Sequence, residues 1–202
     1  MKKLLLLSAV LLGAGLSAQS KNPASKTVPP SSSETAAPSP EISAQSNDDL
    51  VKSISQGDLG GVKRALKNGA NANLKIKDIT PLMMAAGKGS KEIIDILIEN
   101  KADPSQKGEH GKTAFTVAVR RGKLAAAKAL LEKGSDINAK DDKGVTSLMW
   151  AAYEEREDMV KFLLESKADV NAVNIRGKTA MMYAKERNNK KIEKLLKEAG
   201  AE

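Results

Sequence analysis

From Thr80 onward, apolar and polar positions follow one pattern with a period of 33 residues. Thr80, Thr113, Thr146 and Thr179 each open an apolar phrase, reading TPLMMAA, TAFTVAV, TSLMWAA and TAMMYAK. Roughly half a period later stands an apolar pair: Leu97-Ile98, Leu130-Leu131, Leu163-Leu164, and Leu195-Leu196 drawn one place earlier. The positions leading to it, Ile93/Ile94/Leu97, Ala126/Ala127/Leu130 and Met159/Val160/Leu163, are spaced to line one side of a helix. Each unit therefore predicts two helices. The threonine hydroxyl is placed to accept an open backbone N–H at the start of the first helix, and Pro81 fits the first helical position. Ala85, Ala118, Ala151 and Ala184 are small where neighbouring helices stack.

The loops repeat as well. A Gly/Lys-Ala/Ser-Asp phrase closes each second helix at 101–103, 134–136 and 167–169, and Gly111, Gly144 and Gly177 mark hairpin tips. The stretch Leu74–Ile79 is one residue shorter and has no such glycine, which predicts an irregular first junction. Glu155 stands where other copies have Gly89 and Gly122, so it should carry roughly 1 kcal/mol of backbone strain. Asn188, at the same place in the last copy, tolerates that conformation.

A period of 33 with a T-P-L-x-x-A phrase predicts a solenoid of helix–turn–helix units and resembles the ankyrin repeat. The expected fold is all-α, with units at about 48–79, 80–112, 113–145, 146–178 and 179–202. The first unit lacks the threonine phrase but keeps Val62, Ala65, Leu66 and Gly69-Ala70-Asn71, as a terminal cap with a polar outer side would. Gly60 and Gly61 should weaken its second helix. In the last unit Glu193, Lys194 and Lys197 interrupt the apolar stripe around Ile192, again as a cap. Met83, Met149 and Met182 occupy a place where ankyrin repeats usually carry a histidine that ties neighbouring loops. The resemblance implies that this tie is missing here.

Upstream of the repeats the composition changes. Lys2-Lys3, the apolar run Leu4–Leu12 and small residues up to Ala18 have the form of a secretory leader, residues 1–18, cut after Ala18. Residues 19–47, rich in Ser, Pro and Ala, are expected to be a disordered linker. Export to a periplasm or the cell exterior follows as the expected location, with no membrane span left after cleavage. Resemblance to exported bacterial members implies a protective role, in oxidant defence or toxin neutralisation. The absence of Cys removes thiolate chemistry and disulfides.

No catalytic, cofactor-binding or metal-binding residue can be nominated. The single histidine, His110, sits at a hairpin tip beside Glu109, with too few further N or S ligands for a zinc site. Gly57-Asp58-Leu59-Gly60-Gly61 lacks the strand–turn–helix setting of a phosphate loop. Met84, Val117, Trp150 and Tyr183 share one register position and read as core.

What remains is a surface. The chain carries 33 Lys+Arg against 25 Asp+Glu, a formal charge of +8, which favours acidic partners. In proteins that this chain resembles, hairpin tips and the start of the concave helical side grip a protein partner. Carried over by register, those positions include Lys112, Arg120, Arg121, Lys140, Lys143, Val145, Tyr153, Ile175, Arg176, Lys178 and Arg187. Lys88, Lys107, Ile79 and Val173 belong to the same surface, and its Lys and Arg outnumber its acids, Glu109, Asp142, Glu154 and Glu186. The expectation is a monomeric module that binds an acidic protein through a basic concave side with apolar anchors. No small-molecule substrate is expected. The alternative is an envelope polyanion such as anionic lipid, polysaccharide or nucleic acid, against which the scarcity of aromatic stacking residues argues.

Overall fold

A computed structural model describes residues 40–201. The expected leader and residues 19–39 of the expected linker lie outside the described residues. Among those described, ten α-helices follow in pairs: α1 Pro40–Gln56 and α2 Leu59–Lys67, α3 Pro81–Lys88 and α4 Lys91–Glu99, α5 Ala114–Arg120 and α6 Leu124–Glu132, α7 Ser147–Tyr153 and α8 Glu157–Glu165, α9 Ala180–Glu186 and α10 Lys190–Glu198. First helices α3, α5, α7 and α9 stack in a row, and second helices pack beside them, α4 on α2 and α6, and α10 on α8. The result is the all-α solenoid of helix–turn–helix units that the 33-residue period predicts.

The first helices α3, α5, α7 and α9 each start at a threonine cap. The side chains of Thr80, Thr113, Thr146 and Thr179 accept the backbone N–H of Met83, Thr116, Met149 and Met182. Ala85, Ala118, Ala151 and Ala184 are fully buried between stacked first helices. Ile93, Ile94, Leu97, Ala126, Ala127, Leu130, Val160 and Leu163 are fully buried on the second helices. One contiguous apolar core thus runs through all units, and burial between neighbours, not helix propensity, holds helices this short.

The N-terminal boundary differs from the sequence reading. Helix α1 starts at Pro40, so residues 40–47 belong to a helix and not to the linker. Composition hid this, because the helix is fixed by tertiary contacts. Leu50 and Ile54 are fully buried, the Ser46 hydroxyl donates to the Asn68 carbonyl at 3.0 Å, and the Asn47 side chain accepts the Asn71 N–H at 2.8 Å. Gly61 has a positive role too. It is buried where α2 meets α1, and a Cβ there would collide with the Ser53 hydroxyl and the Asp58 carboxylate.

The hairpins are tied to one another by main chain. Glu109 N–H donates to the Asp78 carbonyl, Asp142 N–H to that of His110 and Ile175 N–H to that of Lys143, each at 3.1 Å. These bonds link neighbouring hairpins without any histidine side chain. Gly111, Gly144 and Gly177 turn the tips with φ of 70°, 70° and 69°. The glycine-free first junction closes as a tight turn. Ile76 and Ile79 exchange N–H···O bonds of 3.0 Å, and Lys77 and Asp78 take φ of 48° and 59°. Two successive positive φ values are the geometry of a type I′ turn. Glu155 does adopt the left-handed conformation, with φ of 57°.

Candidate binding groove

The concave groove is built from one device used twice. Asp141 and Asn174, 33 residues apart and both buried, begin successive hairpins. Asp141 Oδ1 accepts the N–H of Lys143 and of Val145, both at 2.9 Å, and its Oδ2 accepts the Trp150 indole N–H at 3.2 Å. Asn174 Oδ1 accepts the N–H of Arg176 at 2.8 Å and of Lys178 at 3.0 Å, while its amide nitrogen donates to Tyr183 Oη at 2.9 Å. The chemistry matches in each case. An indole offers only a donor and meets a carboxylate, whereas a phenol oxygen can accept and meets an amide. Each side chain thereby fixes a hairpin tip and the aromatic ring of the following first helix.

The rings gather into a cluster. Trp150 and Tyr153 have centroids 6.2 Å apart at an interplanar angle of 82°, and Tyr153 and Tyr183 are 5.8 Å apart at 80°. Such edge-on contacts set positive ring edges against negative faces. Cations lie over those faces: Arg120 Cζ is 4.6 Å from the Trp150 centroid, Arg187 Cζ 5.2 Å from Tyr153, and Lys178 Nζ 5.4 Å from Tyr183. Acids steady them, Glu154 at 3.3 Å from Arg120, Glu155 at 3.1 Å from Arg187, and Glu186 beside Lys178. The only tryptophan and both tyrosines of the chain are therefore in one place.

Over this floor opens a cleft of about 400 Å³, whose rim includes Lys112, Lys143, Arg176 and the 73% exposed Ile175. The one carboxylate lining it, Asp141, is bonded inward to backbone and indole. Among the described residues, the side chains of Lys112, Lys143 and Arg176 make no ion pair. The local field is therefore positive, and apolar ring edges lie beneath it. A second cleft of about 450 Å³ adjoins it on the N-terminal side, walled by Met83, Met84, Val117 and Ile79, and opened by Gly87. Lys112 and Arg120 line both clefts.

Of the residues nominated from sequence, Lys112, Arg120, Lys143, Val145, Tyr153, Ile175 and Arg176 line the aromatic cleft, and Arg121 lines the second. Arg187 and Lys178 lie over its rings. Lys140 does something else: its ammonium donates to the Val173 carbonyl at 3.3 Å, as Lys107 does one unit earlier to the Lys140 carbonyl at 3.1 Å. Val145 borders this cleft but is only 6% exposed and packed in the core, so it offers a partner little free surface. A correction concerns Met84, Val117, Trp150 and Tyr183. They are half-buried, and each lines one of the two clefts, so this column is groove wall as much as core. Asp141 and Asn174 were missed altogether. Their signal was present as Asp141/Trp150 and Asn174/Tyr183, the same separation of nine in successive units.

His110 projects at the rim with φ of 58°, its Nε2 3.3 Å from Glu109, and its carbonyl serves the hairpin tie. No group of three or more His, Asp or Glu among the described residues is placed to hold a metal ion. No described helix is long and apolar enough to cross a membrane.

A family model for ankyrin repeats (3 copies) matches residues 50–141 and 139–202. Curated relatives match over shorter stretches. Serine/threonine-protein kinase 12 of Arabidopsis thaliana is 34% identical over 71 residues, 35% of this chain and 16% of its own length. The 2-5A-dependent ribonuclease of Mus musculus is 35% identical over 72 residues, 34% of this chain and 10% of its own. Glycerophosphocholine phosphodiesterase gde1 of Schizosaccharomyces pombe is 36% identical over 89 residues, 43% of this chain and 8% of its own. The chain thus spans a small fraction of each of these relatives.

Proposed function

The chain belongs to the ankyrin-repeat family, and from that premise we propose that it is an exported protein-interaction module that captures an acidic partner surface over its aromatic cleft. Ankyrin repeats are in general binding units, and the catalytic names of the three relatives belong to proteins matched over at most 16% of their length. No catalysis is proposed for this chain. The observation that carries the reading is the cleft itself. Lys112, Lys143 and Arg176, without an ion pair among the described residues, surround rings of Trp150, Tyr153 and Tyr183, and its lining carboxylate is turned inward. Cations of this kind steer an acidic surface into contact. Tyr, Trp and Arg, once desolvated, are the residue types that carry most of the energy of protein interfaces.

The test uses the chain without residues 1–18 as bait in an extract of the native cell envelope. With the captured protein purified, Tyr153→Ala should weaken its affinity by about 1–3 kcal/mol, the usual cost of losing an interfacial aromatic anchor. An unchanged affinity overturns the site. Export rests on Lys2-Lys3 and the apolar run that follows them, and places the module in a periplasm or outside the cell. The mature protein should begin at Gln19 by intact mass, and a mass that retains Met1–Ala18 contradicts the export claim.

A second reading is supported by the outer edge of the groove. There Arg120, Arg121, Lys123 and Arg156 line a polar cleft of about 500 Å³ in which Glu154 is the one acid. A polyanion held there would be lost steeply with salt, since each neutralised phosphate adds about 0.7–0.9 to the logarithmic slope. An acidic protein anchored on the rings would depend on salt more shallowly.

A further inference from the structure

The two clefts of the groove differ in what they would accept, and they share the cations between them. Gly87 is the telling residue. It lies inside α3 at the register position taken by Arg120 and Tyr153 in the next two units. Glycine in a helix interior is disfavoured against alanine by about 1 kcal/mol. Neither backbone nor packing demands it here: its φ is not in the left-handed range, and a Cβ would sit 3.5 Å from Val117 Cγ1 and 3.7 Å from Arg121 Cδ, in ordinary contact. What the missing side chain does is open a hollow walled by Met84 and Val117. Methionine adapts its shape to whatever aliphatic group enters. The neighbouring cleft presents rings of Trp150, Tyr153 and Tyr183 instead.

Between the two stand Lys112 and Arg120. Lys112 is half-buried and makes no ion pair among the described residues. Arg120 holds Glu154 through Nε at 3.3 Å, with its guanidinium carbon 4.6 Å from the Trp150 ring centroid, and its two terminal nitrogens make no bond within the described residues. A planar pair of N–H donors held in this way suits a carboxylate, which it can grip with two parallel bonds.

Resting on the reading of the groove as a protein-binding surface, we propose that its ligand is an extended peptide segment with an acidic residue between two apolar anchors. An aliphatic anchor enters the cleft opened by Gly87, an aromatic anchor enters the ring-lined cleft, and the carboxylate is held by Lys112 and Arg120. Packed helices lie about 8–10 Å apart. An extended chain advances about 3.3 Å per residue, so the anchors are about three residues apart.

The experiment is selection from a phage-displayed random dodecapeptide library on the intact chain, followed by fluorescence anisotropy with the enriched peptide. The selected sequences should place Asp or Glu between an aliphatic and an aromatic residue. Replacing that acid by its amide should weaken binding about tenfold, the size of a charge-assisted contact. Gly87→Phe, which fills the aliphatic cleft, should weaken it by a similar factor, while Gly87→Ala should leave it within about threefold. If Gly87→Phe loses its helical circular dichroism, Met84→Gln carries the same test on a folded chain. Enriched peptides that need Lys112 and Tyr153 but lack the pattern and ignore Gly87→Phe overturn this inference and leave the groove reading standing. Peptides insensitive to Lys112→Glu and to Tyr153→Ala overturn the groove reading itself. A failure to enrich any peptide, with heparin binding to the same chain, overturns the peptide ligand in favour of a polyanion.

Discussion

The two halves of the groove share a backbone and the cations Lys112 and Arg120, and differ in the side chains that would anchor a ligand. In the N-terminal half, Met84 and Val117 form the wall, Gly87 leaves the first helix bare, and the hairpin ends in the glycine-free turn at Ile76–Ile79. In the C-terminal half, the same register positions hold Trp150 and Tyr183, with Arg120 and Tyr153 where Gly87 stood. The cause of the difference is traceable. Asp141 and Asn174 pin rings in the C-terminal half, whereas their counterpart is Gly108, where a Cβ would meet the Asp78 carbonyl and the Met83 sulfur. The shortened first hairpin packs so closely there that a Cβ would collide, so this half has no counterpart of the Asp141 and Asn174 side chains, and Val117 stands where the next two units have a ring. The lesson is that the period sets the scaffold and the departures from it set the surface.

That separation can be broken from the scaffold side, where the largest effect is expected. Leu130 and Leu163 are fully buried on α6 and α8, beneath both halves of the groove. Replacing either with Ala should cost about 2–4 kcal/mol through lost burial and the cavity left behind. Thermal unfolding followed by circular dichroism should shift down in one transition, because stability in stacked repeats lies in shared interfaces. An unchanged midpoint in both variants contradicts the assigned core.

A smaller effect sharpens the comparison within the aromatic half. Asp141→Asn keeps the shape but sets an amide N–H₂ against the donor-only indole of Trp150, so one buried contact loses its acceptor. The expected cost is about 1–3 kcal/mol. Since Trp150 is the only tryptophan, its emission reports the loss directly as a red shift. Emission and stability identical to the parent would show that Asp141 does not position the ring. The smallest expected change is favourable: Glu155→Gly relieves a left-handed backbone, with φ of 57°, and should raise stability by about 0.5–1 kcal/mol after loss of the exposed Arg187 contact. A fall in stability would mean that the Arg187–Glu155 pair outweighs the strain.

The parts of the molecule legible in the sequence were those written once per unit. The capping threonines, the buried alanines between first helices, the hairpin glycines and the leucines of the second helices each recur every 33 residues, so one copy confirms the next. The strained Glu155 was legible by the same logic, as a break in a glycine column. The groove wall was not. Helical spacing marks Met84, Val117, Trp150 and Tyr183 as one stripe, but it does not tell whether a further element covers that stripe, and among the described residues none does on the concave side. Val145 shows the opposite effect: a hairpin position reads as exposed, yet its N–H donates to Asp141 and the residue is only 6% exposed. The helix over 40–47 was hidden by Ser- and Pro-rich composition, which says nothing of the long-range bond from Ser46 to Asn68.

If the positive rim of the aromatic cleft is the binding surface, a matched pair of charge reversals tests it most directly. Lys143→Glu with Arg176→Glu changes two exposed rim cations that hold no ion pair among the described residues, which avoids disturbing Arg120 on its Trp150 ring. Lys128→Glu with Lys161→Glu makes the same change in net charge on second helices α6 and α8, away from the groove. Affinity for the captured partner should fall by at least about tenfold in the rim pair and by less than about twofold in the helix pair, with melting temperatures unchanged in both. If the helix pair loses the partner and the rim pair keeps it, the binding surface lies on the other side of the solenoid.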